Sequence, residues 1–139
     1  GAESWSFPKI TMGPNVIYTN YLYQYDVQNQ VKFTLTNTSQ VSGLYARTSS
    51  NVSVYYCNMP NVYVYAYQDA NITFYYSDIN SIRGYSTTNV TLFNSTCDQI
   101  RLYSFSFVSI IAESHINDLY LYDDASYYLS PDSTIDNIY

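Results

Sequence analysis

The sequence predicts an all-β fold: a two-sheet sandwich, broadly immunoglobulin-like, of about seven or eight short strands closed by one disulfide. Three observations lead there. Apolar and polar residues alternate with a period of two along most of the chain, as in half-buried strands. Turn-forming clusters separate these runs at short intervals. The composition, with 19 tyrosines among 139 residues, 47% apolar and only 12% charged, favours strands and half-wetted surfaces, because tyrosine buries a ring while keeping its hydroxyl in water.

Taken in order, Val16 to Tyr25 reads as a strand with tyrosine on both faces. Val31, Phe33 and Leu35 alternate with Lys32 and Thr34, and Val52, Val54 and Tyr56 with Asn51, Ser53 and Tyr55. Val62, Val64 and Ala66 then alternate with three tyrosines, Ile72, Phe74 and Tyr76 with Asn71 and Thr73, and Val90 and Leu92 with Asn89 and Thr91. Ile100 to Ile111 reads as one long strand and Leu119 to Tyr122 as a short one. A single turn of helix over Ile110 to Asn117 is the one helical candidate. The clusters Asn58-Met59-Pro60-Asn61, Gln68-Asp69-Ala70 and Ser77 to Ser81 supply turns, and no strict internal repeat is read. Residues 1–13 form an N-terminal extended strand and 14–139 a single sandwich domain.

Cys57 and Cys97 are the two cysteines. An even count in a chain of extracellular character reads as a disulfide pinning two strand ends near the rim, worth about 4 kcal/mol for the loop it closes. Trp5 lies outside the interval between them, so the immunoglobulin likeness is architectural only.

Five sequons are present, at Asn37, Asn51, Asn71, Asn89 and Asn94. Their number is near what chance gives in a chain so rich in Asn, Ser and Thr; their placement says more. In Asn51-Val52-Ser53, Asn71-Ile72-Thr73 and Asn89-Val90-Thr91 the middle residue would face the core and the outer two face water, where a glycan is solvated.

Chemistry-bearing clusters are scarce. His115 is the one histidine and sits beside Ser114 and Glu113, but neighbours in sequence rarely converge on one site. Asp118, Asp123, Asp124, Asp132 and Asp136 match no cation-binding loop, and no metal, cofactor or catalytic role is expected for the chain. The five cations, Lys9, Lys32, Arg47, Arg83 and Arg101, are scattered through a chain of net charge −6, which excludes a nucleic-acid partner on the sequence reading. Few ion pairs also imply tolerance of acid. No apolar run is long enough to span a membrane, and the expected setting is the cell surface or beyond.

Trp5 and Phe7 share one face of an extended segment, Ile10 and Met12 the other, and Gly13-Pro14 breaks it from the rest. Such a segment either packs on its own sheet or completes a neighbour's by strand addition. The Tyr/Ser/Thr/Asn richness, scarce lysine, dense sequons and this Trp5 to Met12 segment together resemble the thread-like filament subunits of thermoacidophilic archaea. Type IV-like archaeal pilins begin with a long apolar helix, which this chain lacks. The resemblance implies strand donation by Trp5, Phe7, Ile10 and Met12, a head-to-tail polymer of copies of the chain, protective N-glycans, and adhesion or cell-to-cell contact rather than catalysis. The rival expectation is a monomeric immunoglobulin-like receptor-binding or immune-modulating ectodomain of a viral or cell-surface glycoprotein.

Overall fold

The computed structural model describes residues 10–12, 15–18, 24–28, 30, 32–36 and 41–139. The strands are β1 (Ile10–Met12), β2 (Asn15–Tyr18), β3 (Gln24–Val27), β4 (Lys32–Thr36), β5 (Gly43–Ala46), β6 (Asn51–Tyr55), β7 (Asn58–Ala66) and β8 (Asn71–Tyr75). They continue as β9 (Asp78–Gly84), β10 (Asn89–Phe93), β11 (Thr96–Leu102), β12 (Phe107–Ile111), β13 (His115–Leu121), β14 (Ser126–Leu129) and β15 (Thr134–Ile138). β1–β2 and β2–β3 are antiparallel. From β3 onward every pairing is parallel, and successive strands alternate between a nine-stranded and a six-stranded sheet. The chain therefore winds as a β-solenoid of about six turns.

A parallel pair needs a crossover connection, and here each sheet's strand is the crossover for the other. One turn takes 18 to 20 residues: Asn51 stands over Asn71, Asn71 over Asn89, Asn89 over Phe107, and Phe107 over Ser126. Equivalent residues thus form columns along the axis. Val52, Ile72, Val90 and Val108 make one buried column of the six-stranded sheet, and Val54, Phe74, Leu92 and Ile110 the next. Leu44, Val64, Ile82, Ile100 and Leu119 face them from the nine-stranded sheet. Burying each such side chain is worth about 1.5–3 kcal/mol. Sizes are matched between turns: a Cβ on Gly84 would lie 2.7 Å from Thr88 Oγ1 and 3.0 Å from Leu102 Cδ2, so glycine makes room for Leu102. β7 carries its two extra residues as an irregularity between Met59 and Tyr63, where Pro60 needs no ladder partner.

The corners are turned by one or two residues in the left-handed region. Tyr56, Tyr76, Asn94 and Ala112 (φ 53°, 50°, 45° and 56°) leave the six-stranded sheet, and Gln68, Ser86, Ser104 and Asp123 (φ 53°, 64°, 60° and 58°) leave the other. Each costs on the order of 1–2 kcal/mol for a residue with a Cβ. Buried serines compensate at the first corner. Ser77 N–H donates to Ser95 Oγ, Ser95 N–H to Ser114 Oγ and Ser114 N–H to Ser133 Oγ, each at 3.0 Å. Ser77 Oγ accepts from Cys57 N–H at 3.1 Å, and Ser95 Oγ donates to Phe93 O at 2.9 Å. Polar groups shut away from water are thereby paired from turn to turn.

The sandwich expectation is overturned. Alternation of period two is equally true of a sandwich strand and a solenoid strand, so it fixed the faces but not the partners. The disulfide falls with it: Cys57 and Cys97 are not bridged. Cys57 takes the corner position held by Ser77 and Ser95, while Cys97 stacks on Ile79 two turns further on. Two steps of about 4.8 Å exceed the roughly 7 Å that a disulfide spans between Cα atoms. Burial also pushes the Cys97 thiol far up, so it stays protonated. The single strand expected over Ile100 to Ile111 is β11, a corner and β12, and the helical turn over Ile110 to Asn117 is a corner between β12 and β13. The expected repeat-free chain has a repeat of one turn.

Candidate functional site

The outward side chains of the nine-stranded sheet's second half form two adjoining columns. One runs Tyr45, Tyr65, Arg83, Arg101 and Tyr120 in strand register, with Tyr139 stacked on Tyr120. The other, Arg47, Tyr67, Tyr85, Tyr103 and Tyr122, is set by one recurring bond, in which each backbone N–H donates to the carbonyl one turn back: Val27, Ala46, Ala66, Gly84 and Leu102 in turn. Eight tyrosines and every arginine of the chain meet on this one face. The strand period turns every second residue outward, and the turn length aligns them.

The rings are parallel. Tyr67–Tyr85, Tyr85–Tyr103 and Tyr103–Tyr122 lie with centroids 5.0, 4.9 and 4.7 Å apart. Tyr45–Tyr65 and Tyr120–Tyr139 stack at 5.3 and 4.6 Å. Such pairs contribute about 0.5–1.5 kcal/mol each beyond burial. Desolvation, then the neighbouring Tyr85, raises the pKa of Tyr67 above its ordinary 10.0. The Tyr67 phenol therefore remains a neutral donor at ordinary pH.

The arginines differ in what they meet. Arg47 pairs with Asp26 at 3.0 Å and lies over Tyr67, 4.9 Å from the ring centre. Arg101 lies 4.2 Å over Tyr120, donating to Tyr122 Oη at 3.1 Å and Gln99 Oε1 at 3.3 Å. Arg83 is hydrogen-bonded to Tyr85, which holds its pKa still higher, and its Nε is buried without a partner. Among the described residues neither Arg83 nor Arg101 is in an ion pair; Arg47 pairs with Asp26, and His115 with Asp136 whenever its imidazole is protonated.

The sequons lie elsewhere. Asn51, Asn71 and Asn89 form one outward column of the six-stranded sheet, with Asn89 Nδ2 donating to Asn71 Oδ1 at 3.1 Å, while Val52, Ile72 and Val90 point inward. Asn94 is exposed at the corner that follows. It lines an open groove of about 380 Å³, floored in part by the stacked Tyr56 and Tyr76. Asn37 lies outside the described residues, as do Trp5 and Phe7. Ile10 and Met12 fall in β1, where Ile10 pairs with Ile17 and Met12 with Asn15 of the same chain.

His115 and Ser114 point oppositely: the Ser114 hydroxyl donates inward to Ile111 O, whereas the His115 ring meets Thr134 Oγ1 (2.5 Å), Asn117 Oδ1 (2.9 Å) and Asp136 Oδ2 (3.2 Å) on the outer face. The acidic residues serve as acceptors between turns, Asp118 from Asn137 Nδ2 (3.0 Å) and Asp123 from Ser104 N–H (3.0 Å). Asp132 accepts from Ser130 Oγ at 2.5 Å, the main reason its carboxyl titrates below the usual value.

Sequence reasoning missed the tyrosine–arginine face because it read the arginines as isolated. The signal was present as spacing: Tyr67, Tyr85, Tyr103 and Tyr122, and Arg83 and Arg101, recur at 18 or 19 residues. Comparison with protein-family models, with curated proteins and with solved structures finds no match.

Proposed function

We propose that this chain is an extracellular adhesion module that presents the tyrosine–arginine face of its nine-stranded sheet to a repetitive, polymeric partner. The observation that carries the proposal is the regular column Tyr67, Tyr85, Tyr103 and Tyr122, whose hydroxyl-bearing edges repeat once per turn. A surface with a fixed repeat makes the same contact many times, and many weak contacts add to a strong one. The placement of the sequons supports the same side: Asn51, Asn71, Asn89 and Asn94 occupy the other sheet and its corner, so glycans there would leave this face bare.

Adhesion is retained from the sequence expectation, with a different element as its agent. β1 is hydrogen-bonded to β2 of its own chain over Ile10 to Met12, and the contact face needs no strand from a neighbour. The test is binding to immobilised polysaccharides and cell envelopes, read by surface plasmon resonance. The Tyr85→Ser/Tyr103→Ser variant is expected to lose binding, and Thr73→Lys/Ser109→Lys, on the opposite sheet, to keep it. Equal loss in both variants, with circular dichroism unchanged, would remove the assignment of the face.

A further inference from the structure

We infer that Arg83 and Arg101 form a binding site for the carboxylates of an acidic polysaccharide laid along the solenoid axis, which rests on the adhesive-face reading above and names its ligand.

Arg83 and Arg101 are direct register partners on β9 and β11, so their backbones lie about 4.8 Å apart. Like charges directly opposite across a ladder are destabilising. In a chain with 11 acidic and 5 basic side chains, carboxylates to relieve them are plentiful. Arg47, on the same face, has taken one in Asp26. Arg83 and Arg101 are instead held by tyrosine hydroxyls, an amide oxygen and a ring face, none of which cancels their charge. The buried, unpartnered Nε of Arg83 is a further donor with nothing to meet. Two adjacent guanidinium forks left unneutralised fit oxyanions, and the planar fork matches a carboxylate with two parallel bonds.

The surroundings favour the same ligand. Stacked rings use their faces on one another and turn their edges outward. A ring's edge is the positive side of its quadrupole, and the phenol O–H groups beside it are donors. Edges, hydroxyls and guanidinium groups together make a surface that attracts anions and hydroxyl-rich chains rather than apolar ones. The repeat of about 4.8 Å per turn is close to the advance of one sugar unit in an extended polysaccharide, so successive units meet equivalent positions on successive turns. Attraction of this kind is screened by salt over about 8 Å at physiological ionic strength, so binding weakens as salt is added.

Affinity electrophoresis of the whole chain tests this, in gels carrying polygalacturonate, dextran sulfate or neutral dextran. The chain is expected to be retarded most by polygalacturonate. In Arg83→Gln/Arg101→Gln that binding should weaken about tenfold or more, with retardation by dextran unchanged. Lys32→Gln, which removes a cation from the opposite sheet, should behave as the parent chain, showing that position rather than net charge decides. Circular dichroism establishes that each variant is folded. A preference for polygalacturonate that survives the double arginine variant overturns the site, as does a preference for dextran sulfate over polygalacturonate. Equal binding of the charged and neutral polymers overturns it too, yet leaves the adhesive face standing. Failure to bind any polymer overturns both.

Discussion

Ser95 shows how one residue holds three turns together. Its Oγ accepts from Ser77 N–H and donates to Phe93 O, while its own N–H donates to Ser114 Oγ. Removing that oxygen strands a buried donor, which costs about 1–3 kcal/mol. Ser95→Ala is therefore expected to lower the thermal midpoint by several degrees, about 3–10 °C for a chain of this size. Ser95→Cys should recover part of the loss, because Cys57 already occupies the equivalent position, with its thiol directed to Tyr55 O at 3.4 Å. Thermal unfolding followed by circular dichroism decides it; an alanine variant that melts with the parent would show the serine column to be dispensable. The serines at 77, 95, 114 and 133 stand in the sequence at the turn length. Single residues between alternating runs read only as turn formers, and what they bond to depends on the turn beneath.

At the scale of the element the unit is one turn, not one strand. Neighbouring turns contact each other along their whole length, so stability is close to a sum over turns and their interfaces. Residues 89–106 make up one turn: Asn89 N–H donates to Ala70 O, and Phe107 N–H donates to Thr88 O. Deleting them joins Thr88 to Phe107 with every column continuous. Gly84 would then face Leu121, the register partner of Leu102, and the match of small to large is kept. This deletion is expected to give a folded chain with a modestly lower midpoint. Deleting 89–97 alone puts the two sheets out of step and should abolish cooperative unfolding. Loss of the native far-ultraviolet spectrum in the full-turn deletion would refute the turn as the folding unit. The strands themselves were legible: Asn51 to Tyr55, Asn71 to Tyr75 and Asn89 to Phe93 lie where their alternation put them. Their parallel pairing was not, since alternation is the same in either sense.

For the whole molecule, pH is the informative variable. Desolvation first, and neighbouring groups second, raise the pKa values of Tyr67, Tyr75 and Tyr139 above 10.0. A group whose folded pKa exceeds its unfolded value contributes stability that is complete below the unfolded pKa and is lost as pH climbs through the folded one. Stability should thus hold to about pH 10 and fall above it, as these three phenols are forced to ionise. On the acid side the sign reverses for Asp132, whose depressed pKa contributes above the unfolded value and is lost as pH falls through the folded one. That group is fully exposed, and only two ion pairs join the described residues, so the acid loss is expected to be small. Midpoints measured from pH 2 to 11.5 check both limbs; a steep fall between pH 5 and 3 would contradict the acid expectation.

The sequence by itself determined that the chain is all-β, that Phe33, Leu35, Val52, Val54, Val62, Val64, Ile72, Phe74, Val90 and Leu92 face inward, and that Asn51, Asn71 and Asn89 face outward. These follow from a period of two and from the cost of burying polar groups, both local properties of the backbone. Only the tertiary structure decided which strands are neighbours. It separated Cys57 from Cys97 by two turns, stacked Tyr67, Tyr85, Tyr103 and Tyr122 into one column, and set Arg83 beside Arg101. Neighbourhood is a property of the winding, and the winding depends on the length of the turn. That length places residues 18 to 20 apart side by side, where alternation alone carries no information about distance.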